Sequence, residues 1–273
     1  MMTVAISATD GAVGRSGPRI DSDPVLPREF VRWPMRRKLW LEHPHPGVDC
    51  GRKNRSQHVT TRRETTMLKI WGRKNSSNVR KALWIAEELG LDYESVNAGG
   101  AFGLNDQPEY LAKNPNGVVP MIEDGAFVLW ESNTIVRYLA AQYGSDIGLY
   151  PADSQARAQA EKWMDWTTST FAGPFRTVFW GVLRTPVEQQ DWAQINAAKA
   201  GVERLLSIVD NTLASQPYLS GSEFGVGDIP LGSFIYAWFE MPIERMELAH
   251  LKAWYERLQQ RPAYRKAVMT ALT

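Results

Sequence analysis

The chain has 273 residues, 44% of them hydrophobic and 11 of them tryptophan, a composition that suits one or two globular cores and excludes general disorder. The net charge of +1 hides an asymmetry: residues 1–66 hold 12 Lys/Arg and 7 Asp/Glu, which leaves 19 and 23 of the totals of 31 and 30 for residues 67–273, an acidic body that argues against nucleic acid as a partner. No apolar run approaches the roughly 20 residues that cross a bilayer, so no membrane is expected, and one cysteine, Cys50, cannot close an intramolecular disulfide, which points to the reducing cytoplasm.

Residues 1–66 show no sustained period and carry six of the 16 prolines. "MMTVAISATDGAVG" lacks the basic start and long apolar stretch of a secretory signal, and Asp10, Asp21, Asp23 and Glu29 count against a transit peptide. His43, His45, Cys50 and His58 lack a second cysteine and regular ligand spacing, so no metal site is expected. The segment reads as a disordered extension, or as sequence ahead of a true start at Met67.

From Met67 the pattern sharpens. "LKIWG" (68–72) is a strand, and Val79, Ala82, Leu83, Ala86 and Leu89 form a one-sided helical stripe that stops at Gly90. "YESVNA" (93–98) is a second strand, followed by the glycine-rich loop "AGGAFGLNDQ" (98–107) and a short proline-started helix at 108–114. "VVPMIEDGAFVLWE" (118–131) predicts two strands turning at Asp124-Gly125, and a third helix ends at Gly144. This βαβαββα unit spans 67–144. After the turn-rich stretch 145–154, helical patterns cover 154–172, 174–184, 188–215, 226–240 and 247–260, with Pro174 expected to kink or restart a helix. The expected fold is therefore an α/β domain at 67–144 and an all-α domain at 154–273.

Residues 67–273 contain no cysteine and one histidine, His250, so a Cys/His pair is impossible and a Ser-His-Asp triad would have to use a residue of a late amphipathic helix. There is no Cys/His cluster and no GxxxxGK[ST] loop, and the pair Glu87-Glu88 falls on the solvated side of its helix. Any reactive group is expected to arrive with the ligand.

Three stretches carry a family resemblance: "NPNGVVPMIEDG" (114–125), "WESNTIVRYLAAQY" (130–143) and "SGSEFGVGDIPLG" (220–232). In that order and spacing they resemble the glutathione S-transferases, with a thioredoxin-like N-terminal domain and a helical C-terminal domain. The likeness covers about 67–265 and is to the serine-type, theta- or nu-like members. It implies glutathione as co-substrate, a small-molecule electrophile as second substrate, a homodimer, and no metal. The resemblance further implies that Glu131 pairs with the ammonium of the γ-glutamyl end and Ser132 holds its carboxylate, at a helix N-terminus suited to an anion. Val119, held by a cis bond to Pro120, would present its backbone to the cysteinyl residue; a trans edge-strand proline is the plain alternative.

"RKNSSNVRK" (73–81) is the place where the family keeps its sulfur donor. A thiol with an ordinary pKa near 8.5 is mostly protonated at neutral pH, and a donor at a helix N-terminus favours the thiolate. Ser76 falls where theta-like members keep serine and Asn78 where nu-like members keep asparagine, so these are the expected catalytic pair, with Ser77 as the rival hydroxyl. Both serines acting only as helix caps is the structural alternative. Arg80 and Lys81 oppose the helix dipole; they either add positive potential for an anionic ligand or are simply solvated. Gly225 departs from the Ser or Thr that members place three residues before Asp228.

Phe171, Phe175, Arg176, Phe179 and Trp180 lie where the family builds its electrophile pocket, though core packing explains the aromatics equally well. Glutathione-dependent disulfide reduction or peroxidase chemistry, or a non-catalytic interaction module, remain alternatives to thiol transfer.

Overall fold

The computed structural model describes residues 67–144 and 147–272; the readings made for residues 1–66, including Cys50 and the nearby histidines, lie outside them. The first part of the described chain runs β1 (Leu68–Trp71), α1 (Ser77–Glu88), β2 (Tyr93–Val96), α2 (Pro108–Leu111), β3 (Met121–Asp124), β4 (Phe127–Trp130) and α3 (Ser132–Tyr143). The sheet order is β2-β1-β3-β4, with β1 parallel to β2 and antiparallel to β3, and β4 antiparallel to β3. Asp124 pairs with Phe127 across the hairpin, and Gly125 supplies the positive φ of 63° that the turn needs. The expected βαβαββα unit is thus realised, with the Val119-Pro120 bond cis just ahead of β3.

The helical part follows as α4 (Ser154–Trp166), α5 (Ala172–Leu183), α6 (Trp192–Leu213), α7 (Asp228–Glu240), α8 (Ala249–Gln259) and α9 (Pro262–Ala267). Two features differ from the sequence expectation. Where a kink or restart was expected at Pro174, the chain stays helical: Thr167–Phe171 form a π-helical turn that carries α4 into α5. A proline inside a regular helix would collide with the carbonyl four residues back, and the wider π turn just ahead of it relieves that misfit. The short α9 was missed, because six residues carry too little periodicity to detect.

Helix α1 is the hinge of the packing. Its predicted stripe is buried from Val79 to Ala86 and half-buried at Leu89, but Arg80, Lys81, Trp84 and Ile85 are buried too, because α1 is covered by the sheet on one side and by α7 and α9 on the other. Trp84 packs on Phe224 and Tyr264, with ring centroids 5.4 Å and 4.7 Å away. A Cβ added at Gly232 would come within 2.7 Å of Trp84 Cζ3, so only glycine lets α7 approach this closely. The acidic pair of α1 is not solvated as expected: Arg261 donates twice to the Glu88 carboxylate, at 2.7 Å and 2.8 Å, and Lys266 pairs with Glu87.

Asp228, fully buried at the start of α7, accepts from the backbone N–H of Leu219 (2.7 Å), Ser220 (3.2 Å) and Gly225 (3.2 Å) and from Trp254 Nε1 (2.9 Å). Burial pushes its carboxyl pKa up against the pull of these donors. The Asp228 N–H that a hydroxyl at 225 would serve goes to the Gly225 carbonyl at 3.0 Å, and Ser220 Oγ accepts from the neighbouring Gly227 N–H at 3.1 Å. The aspartate half of the capping arrangement therefore survives the departure noted in the sequence.

Candidate functional site

Ser76, Ser77, Asn78, Glu131 and Ser132 lie at the N-terminal ends of α1 and α3. Ser76 is the N-cap of α1, with extended backbone (φ −86°, ψ 125°), yet its side chain accepts no capping bond from the helix. Its backbone carbonyl takes the first helical bond, from the Arg80 N–H at 2.9 Å, and the Oγ is left for other use. That favours a donor over a mere cap. Ser76 is half-buried and Asn78 exposed.

A cavity of about 800 Å³ opens at this point, lined on one side by Ser76, Ser77, Asn78 and Lys81 and on the other by α5. A smaller recess of about 300 Å³ lies under the start of α3, lined by Glu131, Ser132 and again Asn78. Asn78 is common to both, so the two recesses adjoin there. The larger is within the usual size range of small-ligand sites.

Glu131 marks the turn from β4 into α3 with φ 73° and ψ 108°, a left-handed conformation that costs a non-glycine residue about 1–3 kcal/mol. Its carboxylate is exposed and does not cap the helix. Ser132, buried beside it, donates to Asn78 Oδ1 at 3.3 Å and accepts from Lys81 Nζ at 3.4 Å. These three side chains tie the start of α1 to the start of α3.

Of the two readings of Lys81 and Arg80, added positive potential or a solvated pair, the structure overturns the solvated one. Neither is solvated: Lys81 is 2% exposed and Arg80 1%. Burial brings the Lys81 ammonium down to a pKa of about 7, partly opposed by the nearby Glu131 carboxylate. Its Nζ also sits 5.4 Å from the centre of the Phe234 ring. Arg80, lowered by burial to about 10 and so still charged at neutral pH, turns away from the cavity. It donates to the Thr270 carbonyl (3.2 Å), Thr270 Oγ1 (2.8 Å) and the Ala271 carbonyl (3.4 Å), and thereby holds the C-terminal segment on α1.

The cis Val119-Pro120 turn lines neither recess. Pro120 is buried, and Val119 packs against the backbone of Gly72 and Gly99, where an added Cβ would meet Val119 side-chain atoms at 3.2 Å and 3.3 Å. The Val118 carbonyl before it accepts from Tyr110 OH (2.7 Å) and Asn114 Nδ2 (2.8 Å), which fixes the approach to the turn.

On α5, Phe175, Arg176, Phe179 and Trp180 line the larger cavity as the sequence suggested. Phe171 does not. It is fully buried, stacked between Trp166 (5.9 Å) and Phe175 (5.4 Å), because the π turn rotates it into the core. Among the described residues no group of three or more His, Cys, Asp or Glu side chains is placed to hold a metal ion, and no helix is long and apolar enough to cross a membrane. His250 is exposed on α8, apart from both recesses.

Family models agree with this architecture. "Glutathione S-transferase, N-terminal domain" matches residues 66–141, and "Glutathione S-transferase, C-terminal domain" matches 161–262. The chain is 46% identical to Glutathione S-transferase GstB of Escherichia coli strain K12 over 205 residues, 74% of this chain and 98% of that protein. It is 32% identical to Glutathione S-transferase 3 of Zea mays over 207 residues, 74% of this chain and 93% of that one. Among solved structures it resembles the theta class glutathione S-transferase from Xanthomonas axonopodis pv. citri with glutathione bound, at 66% identity and a TM-score of 0.73. That match covers 76% of this chain and 99% of the Xanthomonas chain.

Proposed function

The chain belongs to the glutathione S-transferase family, and from that premise we propose that it seats glutathione across the two adjoining recesses and presents its sulfur as a thiolate beside Ser76. The observation that carries this assignment is the Ser76 side chain: an N-cap hydroxyl at the mouth of the cavity that makes no capping bond.

In this reading the γ-glutamyl end enters the smaller recess. Glu131, exposed in its strained turn, pairs with the ammonium, and Ser132 with the free N–H groups of α3 receives the carboxylate. The Ser132 hydroxyl has one proton to give, so it releases Asn78 Oδ1 to donate to glutathione. For Val119 to offer its backbone to the cysteinyl residue, the peptide must extend past the two recesses, neither of which that turn lines. The sulfur then lies where Ser76 Oγ and Asn78 Nδ2 can donate to it, with Ser77 as the neighbouring hydroxyl. A hydrogen bond to a charged acceptor contributes about 1.5–3 kcal/mol, enough to bring a thiol pKa from near 8.5 to neutral pH. The thiol proton leaves to solvent, the thiolate forms a new S–C bond, and the leaving group departs with its electron pair.

Attack on a small-molecule electrophile in the aromatic cavity is the favoured reaction. Disulfide reduction and peroxide reduction use the same thiolate, and a panel of an aryl halide, an organic peroxide and a mixed disulfide separates the three. Retention on immobilised glutathione tests the binding step itself; passage without retention would sink the reading and leave an interaction module. We also propose a cytoplasmic homodimer, to be checked by light scattering at micromolar concentration. Phe127 and Trp130, exposed at 46% and 37% on the outer strand β4, support such an association.

A further inference from the structure

The larger cavity has a one-sided charge. Arg73, Lys81, Arg176 and Arg184 line it, and no Asp or Glu does. No carboxylate pairs with Arg73, Arg176 or Arg184 among the described residues. Three of the four are thus cations without an anion.

Glutathione itself, seated as proposed above, accounts for only part of this charge. Its two carboxylates meet two of the cations: the γ-glutamyl one lies toward Ser132 and Lys81, and the glycyl one toward Arg73, whose side chain rests against Gly100. Arg176 and Arg184 are left over. They stand eight residues apart on the opposite wall, Arg176 within α5 and Arg184 as its C-cap, in line with Trp180 at steps of four. Arg184 lies 5.6 Å from the centre of the Phe179 ring, so the aromatic wall carries a cation at its edge. An apolar, aromatic surface flanked by two unpaired guanidinium groups is suited to a molecule with an apolar body and an acidic group, since guanidinium forks match carboxylate oxygens.

We propose that the second substrate of this transferase is an anionic electrophile, one that bears a carboxylate, held by Arg176 and Arg184 while its reactive carbon faces the glutathione sulfur. This rests on the transferase reading and adds the substrate class. In the reaction used to test it, the sulfur of the thiolate bonds to the ring carbon that carries chlorine, and chloride leaves with the electron pair of the C–Cl bond. The carboxylate takes no part in the bond changes.

The test compares 4-chloro-3,5-dinitrobenzoate with 4-chloro-3,5-dinitrobenzamide, the same ring and leaving group with and without the charge. For each, kcat/KM is divided by the uncatalysed rate constant with glutathione. The expected result is an acceleration about tenfold greater for the benzoate at low ionic strength, shrinking as salt screens the arginines. The preference should reside mainly in KM and collapse toward unity in the double variant Arg176→Gln, Arg184→Gln, two exposed positions whose substitution leaves folding intact. Acceleration of the benzamide with no preference for the benzoate, or a preference that survives the double substitution, overturns this inference and leaves the transferase reading in place. Acceleration of neither probe overturns both.

Discussion

Lys81 Nζ donates to Ser132 Oγ across 3.4 Å, and through that hydroxyl a buried ammonium on one helix is coupled to the start of another. The pair explains how a lysine can be tolerated inside the fold: it lines the larger cavity and, through the Ser132 hydroxyl, reaches the smaller recess where an anionic end of the ligand is to sit. Its charge is a cost in the empty protein and an asset in the complex.

The first prediction concerns stability against pH. Unfolded, Lys81 keeps its proton up to about 10.5; folded, only to about 7. Between those values the unfolded chain binds more protons, so this group makes stability rise with pH across that window, and its penalty is fully present below pH 7. Denaturation midpoints measured from pH 7 to 9.5 should climb less steeply in Lys81→Met than in the parent. Parallel curves would show that the ammonium is not desolvated.

Ligand binding should reverse the shift. A carboxylate brought to Ser132 raises the Lys81 pKa, so near pH 7.5 the complex takes up a proton. S-methylglutathione, which has no thiol to titrate, isolates the effect. Its binding heat should depend on the ionisation heat of the buffer, and the share lost in Lys81→Met is the share of the lysine. Identical buffer dependence in both proteins would place the carboxylate elsewhere.

Arg80 gives a third prediction, about the C-terminal segment. Removing residues 270–273 strips the buried guanidinium of Thr270 Oγ1 and of the Thr270 and Ala271 carbonyls. The loss of bonds to a charged donor should cost about 1.5–3 kcal/mol. Arg80→Met in the full chain should cost less, because no buried charge is then left without partners. Equal stability of the truncated and full chains would contradict the clamp.

Most of this architecture was legible in the sequence because short, strongly patterned segments carried it: the Asp124-Gly125 turn, the stripe from Val79 to Leu89, the segment around Asp228. The place of Glu131 and Ser132 at the start of α3 was legible as well, through its surrounding motif rather than its chemistry. What stayed hidden shares one cause. Arg80 and Lys81 stood open between added positive potential and plain solvation, because nothing local reveals that α7, α9 and the C-terminal segment close over α1. Phe171 stood open between pocket and core because the π turn that holds it has no sequence signal of its own. Ser220 shows the same thing on a smaller scale: nothing local reveals that its hydroxyl accepts from the Gly227 N–H seven residues on.

A fourth prediction follows from where the site residues lie. Every side chain of both recesses falls after Met67. A chain beginning at Met67 should retain glutathione binding and turnover, and a marked loss of either would give residues 1–66 a part in the site.

The central claim is that Ser76 holds the thiolate, and the most direct measurement is the ultraviolet thiolate absorbance of bound glutathione titrated against pH. In Ser76→Ala the apparent pKa should rise by about one to two units, since the lost bond to a charged acceptor contributes about 1.5–3 kcal/mol. Glutathione affinity should stay within a few-fold, because Glu131 and Ser132 still hold the rest of the molecule. Conjugation at neutral pH should fall about ten- to hundredfold. An unmoved titration in Ser76→Ala, with the shift appearing instead in Asn78→Ala, would contradict the account: the sulfur donor would then be the amide, and Ser76 only the first residue of a helix.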